Sequence, residues 1–170
     1  MNVTHPNTHL KVMATLQQPE RQLSEVETLM YTLTSAKDAR DVVSAAARHH
    51  FKAGGGRTRA KLGLAAARHL ALLPQQAVAL ATVAELLHNA SLIHDDIQDK
   101  TPSRRGRLAV WAKYGSDVAI LVGDLMVSAA YAVLASFPDP AAMAPLLRRT
   151  HERTREVICG QAREIGRAHV

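Results

Sequence analysis

Aromatic side chains make up only 4% of the 170 residues: two Phe, one Trp and three Tyr. A single-stranded nucleic-acid groove, which needs stacking platforms beside a compact basic run, therefore has little to be built from, and no nucleic-acid partner is expected. There is one cysteine, Cys159, so no intrachain disulfide can form, which suits a reducing, cytoplasmic setting. Runs of β-branched residues bounded by turn residues are missing, which argues against an all-β domain. No uncharged apolar run reaches the roughly 18 residues that a bilayer span needs. Residues 117–137 come nearest, but Asp117 and Asp124 lie inside them, and no transmembrane segment is expected. The first twenty residues are polar and lack the apolar core of a signal peptide.

What is abundant is Ala and Leu, in a chain whose hydrophobic fraction is 47%. Ala, Leu, Arg and Glu lose little side-chain entropy in a helix, so the composition predicts an all-α fold. The length suits one domain with a sizeable core. The formal charge is +6 and the pI near 9.9, but the basic residues are dispersed, as on solvated helix faces.

Residues 1–19 show no helical period and are expected to form a loose tail. Leu23, Val26, Leu29, Met30 and Leu33 have helical spacing and predict a helix over 20–34. Ser35 or Asp38 can cap a second helix over about 39–52, which ends before Gly54-Gly55-Gly56. A third is expected from Arg57 to about Leu73, stopping before Pro74, and a long fourth begins near Gln75 and is broken by Thr101-Pro102-Ser103. A short piece at 108–114, an apolar helix over 117–136 and a last helix from about 141 complete a bundle joined by short loops.

The chemistry concentrates between His88 and Asp99, HNASLIHDDIQD. Residues four, seven and eleven apart on a helix return to nearly one face, so His88, Asp95 and Asp99 fall on one stripe with Asp96 beside them. Carboxylates gathered among Leu92, Ile93 and Ile97 repel each other and desolvate poorly, which calls for a cation. A row of hard oxygen ligands suits Mg²⁺, which keeps several waters and bridges carboxylates to phosphates. Taken alone, an acidic triplet on a helix is more often a solvated face. Just downstream stand Arg104 and Arg105, whose guanidinium groups can clamp phosphate oxygens. Upstream, Gly54-Gly55-Gly56-Arg57-Thr58-Arg59 opens a helix whose N-terminus favours an anion.

The order GGxRxR, ExxHxxSLxHDDxxD, RRG, GD and GQ resembles the trans-isoprenyl diphosphate synthases, the polyprenyl synthetases. Here the pieces are Gly54 to Arg59, Glu85 to Asp99, Arg104-Arg105-Gly106, Gly123-Asp124 and Gly160-Gln161. The resemblance covers about 20–164 and implies an isoprenoid synthase-type helical bundle, homodimeric at full length. It implies a prenyltransferase that condenses isopentenyl diphosphate with an allylic diphosphate. Asp95 and Asp99, supported by Asp96, would bind Mg²⁺ and through it the allylic diphosphate, with Arg104 touching that diphosphate. Arg59, His88 and Arg105 would hold isopentenyl diphosphate. Small residues at Ala90 and Ser91, where bulky aromatics limit product length in the family, imply an open passage for a growing chain.

Three departures accompany the resemblance. Gly56 stands where the family usually carries Lys, with Lys52 the nearest substitute in sequence. The family's second aspartate-rich motif has no counterpart in 107–170, so the chain is expected to be an N-terminal part, truncated before the C-terminal helices and inactive unaided. Residues 165–170, in the run Glu164-Ile165-Gly166-Arg167-Ala168-His169-Val170, resemble a translated sequencing adapter and are expected to be foreign. Two further readings stay open: a non-catalytic partner subunit of a synthase, favoured slightly by Gly56, and a terpene cyclase, which has no use for Arg59 and Arg105.

Overall fold

The computed structural model describes residues 6–36 and 41–168, with side chains from 18 to 164. Seven helices follow in chain order: α1 Pro6–Leu33, α2 Val42–Lys52, α3 Thr58–His69, α4 Pro74–Gln98, α5 Val110–Tyr114, α6 Ser116–Ala135 and α7 Pro140–Ala168. Between α4 and α5 lies a two-stranded antiparallel ribbon, β1 Ser103–Arg104 and β2 Arg107–Leu108. The all-α expectation holds apart from this ribbon.

Helix boundaries depart from the periodicity reading where local chemistry decides them. α1 begins at Pro6 and runs through Pro19, so the expected tail over 1–19 is helical from residue 6. α2 is capped by Asp41, whose Oδ2 accepts from Ser44 N–H at 2.8 Å, and not by Ser35; Asp38 lies outside the described residues. Arg57, with φ +48, stays outside α3 and sets its start at Thr58. α3 then stops at His69, before Pro74 could end it. Leu72 N–H reaches Ala67 O at 2.9 Å and Ala71 N–H reaches Arg68 O at 3.1 Å, with Ala71 left-handed at φ +53. These are the two bonds of a Schellman exit, which satisfies the last carbonyls without proline. Pro74 opens α4 at its first position, where its missing N–H costs nothing. The side chains of 165–170, the segment expected to be foreign, lie outside the described residues.

α4 is the axis of the bundle. It packs most extensively against α6, then α3 and α1. Its buried stripe includes Thr82, Glu85, Leu86, Asn89, Ile93 and Asp96, spaced three and four apart as one helix face requires. α6 presents Ala119, Val122, Met126, Ala130 and Leu134 to the same core.

Two helices, α4 and α6, are long and apolar enough to cross a membrane by length and composition, although the sequence reading found no such stretch. Their apolarity has a second cause. A helix that packs against several neighbours in a bundle is apolar over much of its circumference, as a span is. α4 also places Glu85, Asn89 and Asp96 on its buried face.

α7 differs from the rest. None of its described side chains is buried, and Val157 and Ile158 are 62% and 63% exposed. Leu62, Leu70 and Leu73, on α3 and just after it, together with Ile120 and Leu121 on α6, are also exposed.

Candidate functional site

α4 delivers three carboxylates, but they do not stand alike. Asp96 is 2% exposed and turned into the bundle, whereas Asp95 is half-buried and Asp99 exposed. Asp96 therefore does not share the outward stripe of His88, Asp95 and Asp99; a 100° step per residue carries it to the inward face. There it receives Arg104, whose Nε lies 3.1 and 2.9 Å from the two carboxylate oxygens and whose Nη2 lies 2.6 Å from Oδ1. This uses one bidentate edge of the guanidinium and leaves the Nη1 edge for another anion.

The return of Arg104 to α4 is a matter of chain geometry. α4 ends in a second Schellman pair: Thr101 N–H reaches Asp96 O at 3.0 Å, Lys100 N–H reaches Ile97 O at 3.3 Å, and Lys100 has φ +52. The ribbon then turns at Arg105-Gly106, with φ of +53 and +74, the signs a type I′ hairpin requires. Ala109 N–H to Pro102 O at 2.9 Å closes its base, and the Trp111 indole N–H donates to Thr101 O at 2.8 Å. The hairpin carries Arg104 inward and Arg105 toward the glycine loop. Arg105 donates through Nη1 to Gly54 O, and its guanidinium occupies the space that a Cβ on Gly55 would fill. Gly55 also has φ +140, a conformation that favours glycine there whatever the neighbouring side chain does.

Asp95 and Asp99 form the part of the motif open to a cation. Burial, and next to it the Asp99 charge, raise the Asp95 carboxyl above its ordinary value. A half-buried acid facing a like charge is stabilised by any cation that joins them. Among the described residues no three His, Cys, Asp or Glu groups converge on one point. The site thus supplies two carboxylates, which fits Mg²⁺ completing its shell with water and phosphate oxygens and does not fit an all-protein cage.

On the same outward stripe, His88 is held below its ordinary pKa by burial and then by the charge of Arg59. Arg59 and Lys52 are exposed. The charges of Arg59, Arg105 and Arg104 all act on His88, and Arg105 reaches Gly54 just ahead of α3. Ala90 is buried, and Ser91 is half-buried with its hydroxyl donating to His88 O at 2.9 Å.

Several contributors escaped the sequence reading. Arg57, 7% exposed, pairs through Nε with Glu27 at 2.8 Å and approaches Glu85 at 3.9 Å. His50 Nε2 bonds Asn89 Oδ1 at 2.9 Å. Gly123 makes room for His94, whose Nε2 occupies the place of a Cβ there and lies 3.7 Å from Asp124 Oδ1. Gln161 donates to Gln98 Oε1 at 3.2 Å, tying α7 to the end of α4. Arg57, Glu85, His94, Gly123-Asp124 and Gln161 lie inside the motif strings, which marked their places but not these partners; His50 had no signal in spacing.

The polyprenyl synthetase profile matches residues 40–169. The chain belongs to the polyprenyl synthetase family. It is 46% identical over 89 residues to the (2E,6E)-farnesyl diphosphate synthase of Mycobacterium tuberculosis, a stretch that is 52% of this chain and 24% of that protein. It is 43% identical over 97 residues to the geranylfarnesyl diphosphate synthase of Aeropyrum pernix, 56% of this chain and 30% of that one. Among solved family structures, the geranylgeranyl pyrophosphate synthetase of Pyrococcus horikoshii superposes with a TM-score of 0.82 at 32% identity, over 94% of this chain and 49% of that one. A polyprenyl synthase of Caulobacter crescentus, solved with calcium and isoprenyl diphosphate, superposes with a TM-score of 0.69 at 30% identity, over 78% and 40%. The chain thus spans about a quarter to a third of the curated family relatives and about half of the solved family structures.

Proposed function

We propose that this chain carries the first aspartate-rich site of a Mg²⁺-dependent prenyltransferase, which condenses isopentenyl diphosphate with an allylic diphosphate to make polyprenyl diphosphates in the cytoplasm. The observation that carries the reading is the division of labour on α4: Asp96 is committed to Arg104, while Asp95 and Asp99 remain outward as a carboxylate pair. The solved relative with calcium and isoprenyl diphosphate supports it, because a divalent cation and a diphosphate occur together on the same fold.

In this reading Asp95 and Asp99 hold Mg²⁺, which supplies positive charge to the departing pyrophosphate. Arg104, oriented by Asp96, offers its Nη1 edge to the allylic diphosphate. Arg59, His88 and Arg105 hold isopentenyl diphosphate, with neutral His88 able to donate one hydrogen bond. The allylic C–O bond breaks, the isopentenyl double bond forms the new C–C bond, and a proton leaves. Fixed cations aimed at the growing pyrophosphate charge need no reorganisation as that bond breaks. A second aspartate-rich motif and a homodimer belong to the complete enzyme, so the 170 residues alone are expected to bind substrates without turning them over.

The test is calorimetry of farnesyl diphosphate on the 170-residue chain with and without Mg²⁺. Mg²⁺-dependent binding is expected, with Asp95→Ala reducing it at least about a hundredfold through loss of one of two metal carboxylates. Equal binding by Asp95→Ala, or binding indifferent to Mg²⁺, would remove the metal role.

Gly56→Lys restores the family's usual cation. Gly56 lacks the positive φ of Gly54 and Gly55, and its Cβ would meet only Thr58 Oγ1 at 3.2 Å. The variant is expected to bind isopentenyl diphosphate about tenfold more tightly through one charge-assisted contact. An unchanged Kd in the same calorimeter would show that another cation already occupies the place.

A further inference from the structure

The inward face of α4 carries buried polar residues, of which the proposed chemistry uses only Asp96, to orient Arg104. Glu85, Asn89 and Asp96 are 4%, 1% and 2% exposed, and each engages a different segment. Asp96 takes the hairpin through Arg104. Asn89 takes α2 through His50 at 2.9 Å, while its amide nitrogen donates to Glu85 O at 2.7 Å and Glu85 Oε1 at 3.4 Å. Glu85 Oε2 accepts from Ala60 N–H at 3.1 Å, and its other oxygen faces Arg57. Ala60 is the third residue of α3, so a carboxylate from α4 satisfies one of the N–H groups that a helix start leaves open. A negative charge there also suits the helix dipole.

α3 has no side-chain cap of its own, since its N-cap is Arg57 in a left-handed conformation. Glu85 is its substitute, delivered from another helix. Arg57 is itself clamped between Glu27 and Glu85, so α1, the glycine loop and α4 meet at this guanidinium. Glu85 and His88 are three residues apart on α4, about 4.5 Å along its axis. Asp95 lies about 10 Å further on. Whatever fixes the start of α3 at Glu85 therefore fixes Arg59, the second residue of α3, relative to His88 and the carboxylate pair.

We propose that Glu85 is a positioning residue for isopentenyl diphosphate: it holds the first turn of α3 on α4, so that Arg59 and His88 present one anion site at a set distance from Asp95. The inference rests on the function proposed above. Glu85 touches no substrate; it acts through Arg59 and the glycine loop. Asn89 and His50 brace its carboxylate from behind.

The experiment compares the 170-residue chain with Glu85→Ala and Glu85→Gln by hydrogen exchange and by calorimetry. Glu85→Ala is expected to speed exchange of the amides at 58–61 about tenfold, for a lost bond to a buried charge, with those at 92–98 unchanged. It is expected to weaken isopentenyl diphosphate binding about tenfold and leave Mg²⁺-dependent farnesyl diphosphate binding intact. Glu85→Gln keeps an oxygen for Ala60 N–H and should recover most of the protection; it also decides the matter if the Ala variant fails to fold. Unchanged exchange at 58–61, or equal weakening of both ligands, overturns the positioning role. If the parent chain binds no isopentenyl diphosphate, the functional reading falls, and the exchange result alone shows whether Glu85 holds α3.

Discussion

Arg104→Met is expected to lower the unfolding free energy by about 3 kcal/mol or more, whereas Asp96→Ala should cost only about 1 kcal/mol. The two residues form one ion pair, yet their exposures differ: the side chain of Asp96 is 3% exposed and that of Arg104 is 29%. Removing Arg104 strands a carboxylate in the core without its two-pronged donor, and an unpaired buried charge is costly. Removing Asp96 leaves a guanidinium that can swing to water. Urea denaturation of both single variants and of Asp96→Ala/Arg104→Met measures the asymmetry. The double variant should be more stable than Arg104→Met alone, because the stranded charge is gone. Equal costs for the two single variants would mean that Asp96 is not as dry as its burial implies. The same pair matters for function. In the function proposed above, Asp96 holds one edge of Arg104 and so fixes the edge that would meet a diphosphate.

The second large effect is a loss of stability on mild acidification. His50 is 7% exposed, and burial, opposed by its bond to Asn89, pushes its pKa down from 6.5 to about 4. Asn89 on α4 and Phe51 beside it on α2 face the ring, with Asp96, Arg104 and Arg105 acting from further off. Because the folded state resists protonation, the unfolded chain binds the extra proton between pH 6.5 and 4. The contribution of neutral His50 is complete above pH 6.5 and is lost as the pH falls toward 4, about 3 kcal/mol in all and about 2 kcal/mol by pH 5. His50→Gln should flatten the difference between pH 7.5 and pH 5 by that amount in urea unfolding. A slope unchanged by the substitution would assign the acid sensitivity to other groups, such as half-buried His88, whose depressed pKa has the same sign.

Much of the architecture was legible in the chain. Helix spacing of Leu23, Val26, Met30 and Leu33, the long run from near Gln75 and the apolar stretch over 117–136 marked helices, because an α-helix repeats every 3.6 residues whatever it packs against. The motif strings located the glycine loop, the acidic helix and the arginine pair, since their chemistry is local. Helix ends were less legible. Ala71 and Lys100 take left-handed conformations that sequence favours only for glycine or asparagine, and the two Schellman exits they complete depend on how the next segment is pulled back onto the bundle.

The sequence by itself determined that this protein is a helical bundle with clustered carboxylates and guanidinium groups in the order of a polyprenyl synthetase. Only the tertiary structure decided which carboxylate is buried and paired and which stays open. Asp95, Asp96 and Asp99 are chemically the same residue, and spacing placed all three together. A rotation of 100° between neighbours sends Asp96 into the core to meet Arg104 and leaves Asp95 at the rim. The partners of Glu85, Asn89 and Asp96 come from residues 25, 39 and 8 positions away, and pairing over such separations is set by packing that no local pattern encodes.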